Sequence, residues 1–406
     1  MADSQQTLTA LRTKLTQIHH LKGAAALLSW DQETYMPHGG GEARADQIAT
    51  LQTMAHQQFI CPDIADGLAE LIDPTTGLVH DYLSSWDEPT KAFLRETWRD
   101  FSKAKKLPSE FVNRLERECS LAQQIWVEAR ERNDFSHFLP HLRTLVALKH
   151  EEVDYRGFTD SPYNALLDTY EPGATVGQLK PLFATLRKGL TTLLQQIQEA
   201  PSKPDDRIFH QAYNQDRQLA FSKQVLRSMG YDFNRGRLDL SAHPFTTSFH
   251  PTDVRVTTRV FEKDLPSCLF SSIHEGGHGL YDQGLPQEHY GTSLGESISL
   301  GIHESQSRLW ENSVGRSMPF WQHFFPLLQE KFPGQLSAVS LDKFYKAINT
   351  VKPSLIRVEA DEVTYNLHIM VRFEIELDLM EGQVHVEELP TLWNDKMQEY
   401  LGIAPE

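Results

Sequence analysis

Apolar positions recur at three- and four-residue steps through most of this chain, the spacing that lays one side of an α-helix against a core. Leu8, Leu11, Leu15 and Ile18 trace such a stripe and predict an amphipathic helix over residues 5–28. Residues 41–58, 89–105, 109–132, 136–154, 176–199 and 210–229 read as further helices, punctuated by Pro and Gly as at Pro37–Gly41 and Pro172-Gly173. No fixed-period repeat, low-complexity tract or long Ser/Gly/Pro linker divides them. Length alone, 406 residues, would suggest two or three domains. The pattern predicts instead a mainly α fold, one large helical unit over 1–406.

One segment departs from helical spacing. Residues 244–260 are rich in Thr, Val and Phe and alternate in polarity, which predicts two short strands around His250-Pro251-Thr252. On the second strand Asp253, Arg255, Thr257 and Arg259 share one face, and Val254, Val256, Thr258 and Val260 the other. Such a small sheet can hold an extended peptide by backbone pairing.

The sheet precedes the most informative motif, His274-Glu275-Gly276-Gly277-His278. Two histidines four apart lie one turn apart on one side of a helix, so both imidazoles can reach one metal ion. Glu275 points beside that side, where it can take a proton from a metal-activated water. Leu269, Phe270, Ile273, Leu280 and Tyr281 flank the motif and mark its helix as buried. Burying two histidines and a glutamate is costly without a partner such as a metal. Two mid-helix glycines cost about 1 kcal/mol each relative to Ala, a cost explained if another backbone or a substrate must come close there.

A catalytic site of this kind needs a third protein ligand. Glu288, His289, Glu296, His303, Glu304 and Glu311 follow the motif. Residues 295–312 read as a second helix with Ile298, Ile302 and Leu309 as its apolar stripe, which favours Glu296, Glu304 or Glu311; spacing does not choose among them. The chain thus reads as a helical part over roughly 1–235 and a metal-site part over roughly 236–406.

Composition narrows the partners. A formal net charge of -16 repels nucleic acid and anionic membrane. Cys61, Cys119 and Cys268 are odd in number and far apart, so neither a disulfide framework nor a cysteine metal site is indicated. No basic start followed by an apolar run is visible, nor any stretch near the roughly 20 apolar residues that span a bilayer. A cytoplasmic protein is expected.

Several motifs in order then give a family likeness. HEGGH at 274–278, HESQ at 303–306, DVRVT at 253–257 and IRVEAD at 356–361 resemble the motifs of the carboxypeptidase Taq family of metallocarboxypeptidases. LLSWDQETYMP at 27–37 and HPFTTSFHPTD at 243–253 also look like family segments. The resemblance selects Glu304 as the third ligand. It implies a helical fold with a deep groove, removal of single residues from the C-termini of peptides, and a homodimer. Zinc is the expected ion, although Co2+ or Mn2+ suit a His₂-carboxylate set as well.

A carboxypeptidase must grip a free C-terminal carboxylate, and the planar fork of an arginine matches one. Arg357 is the favoured clamp and Arg255 the second candidate. The structural alternatives are a helical i,i+4 pair of Arg357 with Asp361 and a cross-strand ion pair for Arg255. His243 could donate a hydrogen bond to substrate or oxyanion, or be purely structural. His303 reads as an orienting group, facing about 100° away from Glu304.

The resemblance also marks a departure. Family members continue beyond the point matching Leu401–Glu406 into a segment that helps line the groove. Metal binding is expected to survive its absence; turnover is expected to suffer, since losing an oxyanion donor typically costs about 10²–10³ in rate. Two alternatives follow: a metal-binding but catalytically weak peptide-binding protein, and a dipeptidyl carboxypeptidase or endopeptidase with the same ligands.

Overall fold

A computed structural model describes residues 2–405. Helices make up 70% of the chain, as the apolar spacing requires. In the N-terminal half they are α1 (Ala2–Thr34), α2 (Gly41–Phe59), α3 (Pro62–Leu71), α4 (Glu88–Ala104), α5 (Ser109–Arg132), α6 (Phe135–Arg156), α7 (Tyr163–Tyr170), α8 (Val176–Glu199) and α9 (Gln215–Met229). Local chemistry sets their ends. Asp87 caps α4 by accepting from the Thr90 amide at 2.7 Å, and Thr175 with Gln178 forms a capping box on α8. Asn214 caps α9, which therefore starts at Gln215 rather than at 210. Gly230, at φ 105°, ends it in the left-handed conformation that glycine adopts without strain.

Three strands follow, β1 (Gly236–Leu240), β2 (Thr246–His250) and β3 (Asp253–Thr258), in the order β1-β3-β2. The expected hairpin around His250–Thr252 is β2–β3; β1 adds an edge that alternation did not predict. Val254, Val256 and Thr258 are buried as expected, and Thr257 is buried too, bonded through its hydroxyl to the Phe245 amide at 2.8 Å.

Then come α10 (Leu265–Gln283), α11 (Leu300–Arg308), a π-helical turn (Leu309–Val314), α12 (Met318–Lys331), α13 (Pro333–Leu336), α14 (Leu341–Ile348), α15 (Tyr365–Met380) and α16 (Leu389–Leu401). The helix read over 295–312 begins only at Leu300, where the Ser299 hydroxyl accepts from the Ile302 amide. Its supposed inner stripe faces outward: Ile298 is 74%, Ile302 49% and Leu309 45% exposed.

The described residues form two compact units, one of residues 2–157, 247–254 and 281–298, the other of 158–246, 255–280 and 299–405. In the first, Leu8, Leu11, Leu15 and Ile18 pack with Ile64, Leu68 and Leu71 of α3 and Phe93, Leu94 and Phe101 of α4. In the second, α10 contributes Leu265, Leu269, Phe270 and Ile273 to a core with Trp321, Phe325 and Leu328 of α12 and Phe344 of α14. Each such burial contributes about 1.5–3 kcal/mol, and α10 is thereby fixed against its neighbours.

Candidate metal centre

With one side of α10 locked into this core, the opposite side carries His274 and His278, their side chains 18% and 14% exposed. Helix α11 brings up Glu304. Its Oε2 lies 3.2 Å from Nε2 of His278 and 3.5 Å from Nε2 of His274. One ligand atom from each of the three lies within 4.8 Å of the others, and among the described residues theirs is the one cluster of His, Cys, Asp or Glu with that property. Two imidazole nitrogens and a carboxylate oxygen converging on one point fit a divalent ion.

The mid-helix glycines make this approach possible. A Cβ on Gly277 would meet the Ser307 Cα at 2.6 Å and the Gln306 carbonyl oxygen at 2.7 Å, so the α11 backbone rests directly on α10 there. A Cβ on Gly276 would meet Leu226 of α9 at 2.3 Å.

Electrostatics tie the cluster together. Burial pushes the Glu304 carboxyl up, but the His278 hydrogen bond and the charges of His274 and Arg308 pull it well below the ordinary range. Glu311, in the π-helical turn, accepts from Nδ1 of His274 at 2.8 Å and from Arg308 at 2.9 Å. Burial raises its carboxyl too, and His274, Arg308 and Arg316 together hold it below the ordinary value. For His274 burial acts downward, and the acids around it outweigh that and raise its pKa. His303 stacks on His278 with ring centroids 4.5 Å apart, and among the described residues it belongs to no metal-ligand cluster.

Glu275 is buried beside the cluster. The Thr246 hydroxyl at the start of β2 lies 2.7 Å from its Oε2 and 3.0 Å from its carbonyl oxygen. A cavity of about 60 Å³ opens here, lined by His274, Glu275, His243, Arg308, Arg357 and Tyr365 among others. Arg357 reaches it from a 3₁₀ turn, Arg357–Glu359, and hydrogen-bonds the Tyr365 hydroxyl. The helical pair with Asp361 does not form, because the backbone turns extended at Ala360. Asp361 instead accepts from the amides of Lys352, Val363 and Thr364 and from the Thr364 hydroxyl. Arg255, half-buried on β3, is not among the lining residues.

His243 lines the cavity with Nδ1 2.8 Å from the Pro244 carbonyl oxygen. A carbonyl only accepts, so Nδ1 carries the proton and Nε2 is left as an acceptor. Burial first, then Arg357 and Arg259, lower its pKa against the opposing pull of the Pro244 hydrogen bond and Glu275.

Of the other ligand candidates considered, Glu296 pairs with Nδ1 of His19 at 3.3 Å in the first unit, and Glu288 and His289 lie in a 3₁₀ turn. Arg308 and Tyr365 are site residues that sequence reasoning missed. The Arg308 guanidinium lies 3.4 Å from the Tyr365 ring centroid, and the Tyr365 hydroxyl is 3.4 Å from Glu304 Oε1. The i,i+4 spacing of Glu304 and Arg308 was the one available signal.

Comparison with known proteins gives a consistent picture. The chain is 44% identical to thermostable carboxypeptidase 1 of Thermus thermophilus, a match covering 95% of this chain and 76% of that protein. It is 41% identical to carboxypeptidase 1 of Bacillus subtilis, covering 97% and 77%. Among solved structures, one titled BsuCP superposes with TM-score 0.95 at 39% identity over 99% of this chain and 79% of that one. An M32 carboxypeptidase from Deinococcus radiodurans superposes with TM-score 0.86 at 36% identity, covering 98% and 78%. These names favour a hydrolase over a peptide-binding protein. A divalent metal and peptide substrates follow from the family, and among the described residues no helix is long and apolar enough to cross a membrane. Residues 10–406 match the carboxypeptidase Taq (M32) metallopeptidase family, and the chain belongs to that family of metal-dependent carboxypeptidases, hydrolases of peptide bonds.

Proposed function

We propose that His274, His278 and Glu304 hold one zinc ion and that Glu275 is the general base for removal of single residues from peptide C-termini. The convergence of three ligand atoms within 4.8 Å, beside a buried carboxylate, carries this reading. Bound there, a divalent ion supplies Lewis acidity that acidifies water and polarises the scissile carbonyl. Glu275, oriented by Thr246, takes the water proton and delivers it to the leaving amine. Arg357 receives the terminal carboxylate in its guanidinium fork, backed by Tyr365. His243, which lines the same cavity, is assigned a hydrogen bond to substrate through Nε2, and Arg255 remains the second candidate for the carboxylate clamp.

The whole chain is read as one catalytic domain. A homodimer in a reducing cytoplasm suits the family and the three free cysteines, and the net charge of -16 argues against nucleic acid and anionic membrane as partners. The decisive measurement is mass spectrometry of products from a free-acid peptide and its C-terminal amide. The free acid is expected to shorten one residue at a time, and Glu275→Gln to slow this by about 10²–10⁴. Equal cleavage of the amide, or loss of residues in pairs, overturns the reading.

A further inference from the structure

We infer that Glu311 is a positioning residue that fixes the tautomer and ring orientation of His274, so that Nε2 is presented as the ligand atom. The inference rests on the zinc reading above and adds a residue to it. Glu311 is 6% exposed, and a carboxylate is not buried so deeply without strong partners. Arg308, at 2.9 Å, and Arg316, at 3.8 Å, account for its charge. They do not account for the third contact, His274 Nδ1 at 2.8 Å. A carboxylate only accepts, so Nδ1 must carry the proton, and in the neutral ring that binds a metal the Nε2 lone pair is then presented on the side of Glu304. One imidazole is thus held at Nδ1 by Glu311, while its Nε2 faces Glu304, an acid of the same stretch of chain.

The backbone is shaped for this second contact. Glu311 sits in the π-helical turn that directly follows α11, where the Gly315 amide reaches back five residues to the Trp310 carbonyl at 2.7 Å. A Cβ on Gly315 would lie 2.9 Å from the carbonyl oxygens of both Trp310 and Glu311, so this closure needs glycine. π turns inside helices are uncommon and concentrate at functional sites. His278 supplies the contrast, since its Nδ1 is buried with no hydrogen-bond partner among the described residues. Orientation through a carboxylate is given to one histidine of the pair.

The test measures zinc affinity and tautomer together. Glu311→Gln keeps the shape and an acceptor oxygen but removes the charge. Zinc titrations against a competing chelator should show its Kd raised about 10- to 100-fold, with the metal-free melting temperature near that of wild type. In zinc-loaded wild-type protein with ¹⁵N-labelled histidine, assigned with a His274→Gln sample, NMR should show His274 protonated at Nδ1 and metal-shifted at Nε2. The reverse tautomer overturns the inference, and this readout needs no folded Glu311 variant. A folded Glu311→Gln protein with Kd within about twofold of wild type overturns it too, as an ion pair of purely structural value would leave affinity unmoved. Failure of wild-type protein to bind one zinc per chain would instead sink the ligand assignment itself, and this inference with it.

Discussion

Two of the helix contacts built on a glycine in this molecule serve opposite ends. In the first, α3 packs on α1 through an apolar cluster of Leu8, Leu11, Ile64, Leu68 and Leu71, with Gly67 facing the methyl groups of Leu11 and the Lys14–Asp63 and Thr7–Glu70 pairs at its margin. In the second, α11 lies on α10 with Gly277 facing bare backbone, and the contact carries Glu275, His274, His278, Glu304, Arg308 and Glu311. The first contact stabilises by area removed from water. The second spends burial on charges, whose desolvation offsets much of their attraction, so its worth is geometric rather than energetic. Stability and function have been assigned to different interfaces.

The largest test of that division removes Glu304. Glu304→Ala should weaken zinc binding by on the order of a hundredfold or more and drop peptide hydrolysis to background, since two imidazoles alone hold the ion poorly. The melting temperature of metal-free protein should change little, because the side chain is 41% exposed and packs no core. Zinc analysis beside a melting curve checks both. Retained stoichiometric zinc would transfer the third-ligand role to Glu311; a collapse of the metal-free fold would mean that the polar contact is structural after all.

A second test concerns acid stability. His368 on α15 is fully buried, and burial, then the charges of Arg372 and Arg357, push its pKa from 6.5 down to about 4. The unfolded chain then binds this proton at higher pH than the folded one. Its contribution to stability is therefore complete above about pH 6.5 and is lost as pH falls toward 4, amounting to about 3 kcal/mol. Urea unfolding at several pH values should show His368→Leu with a shallower acid limb than wild type by that amount. Parallel limbs would show that His368 titrates normally.

The two contacts were unequally legible in the sequence. The α1 stripe was plain, because a one-sided apolar face has the helical period. HEGGH was plain as well, since its chemistry depends on a four-residue step within one helix. The partner helix was not. On α11 the inward face carries Glu304, Ser307 and Arg308, so reading apolar residues as the inner stripe chose Ile298, Ile302 and Leu309, which face solvent. Glu304 and Glu311 are seven apart and share a helix face, so periodicity could not rank them; the family motif did. The part played by Glu311 depends on a π turn, which has no sequence period. Likewise β1, Gly-Arg-Leu-Asp-Leu, alternates over four residues only, too short a run to stand out, and α12 is apolar on most sides, which leaves no face to read.

The glycines themselves supply the sharpest comparison. Gly277→Ala places a methyl group against α11 main chain at 2.6 Å, which no rotamer change relieves. It should cost about 1–3 kcal/mol as overpacking. By lifting α11 it should also displace Glu304, and a displacement near 1 Å is worth about 10²-fold in activity. Gly67→Ala is the matched change in the other contact. There the added methyl meets Leu11 Cδ2 at 3.0 Å and Cγ at 3.2 Å, the end of a flexible side chain that can turn by a few tenths of an ångström. Alanine also recovers about 1 kcal/mol of helix propensity at this interior position of α3. The two terms nearly cancel, so denaturant midpoints should place Gly67→Ala within about 1 kcal/mol of wild type, with kcat/KM unchanged. A loss at Gly67 as large as at Gly277 would show that tight helix approach, rather than contact with backbone beside the ligands, sets the penalty.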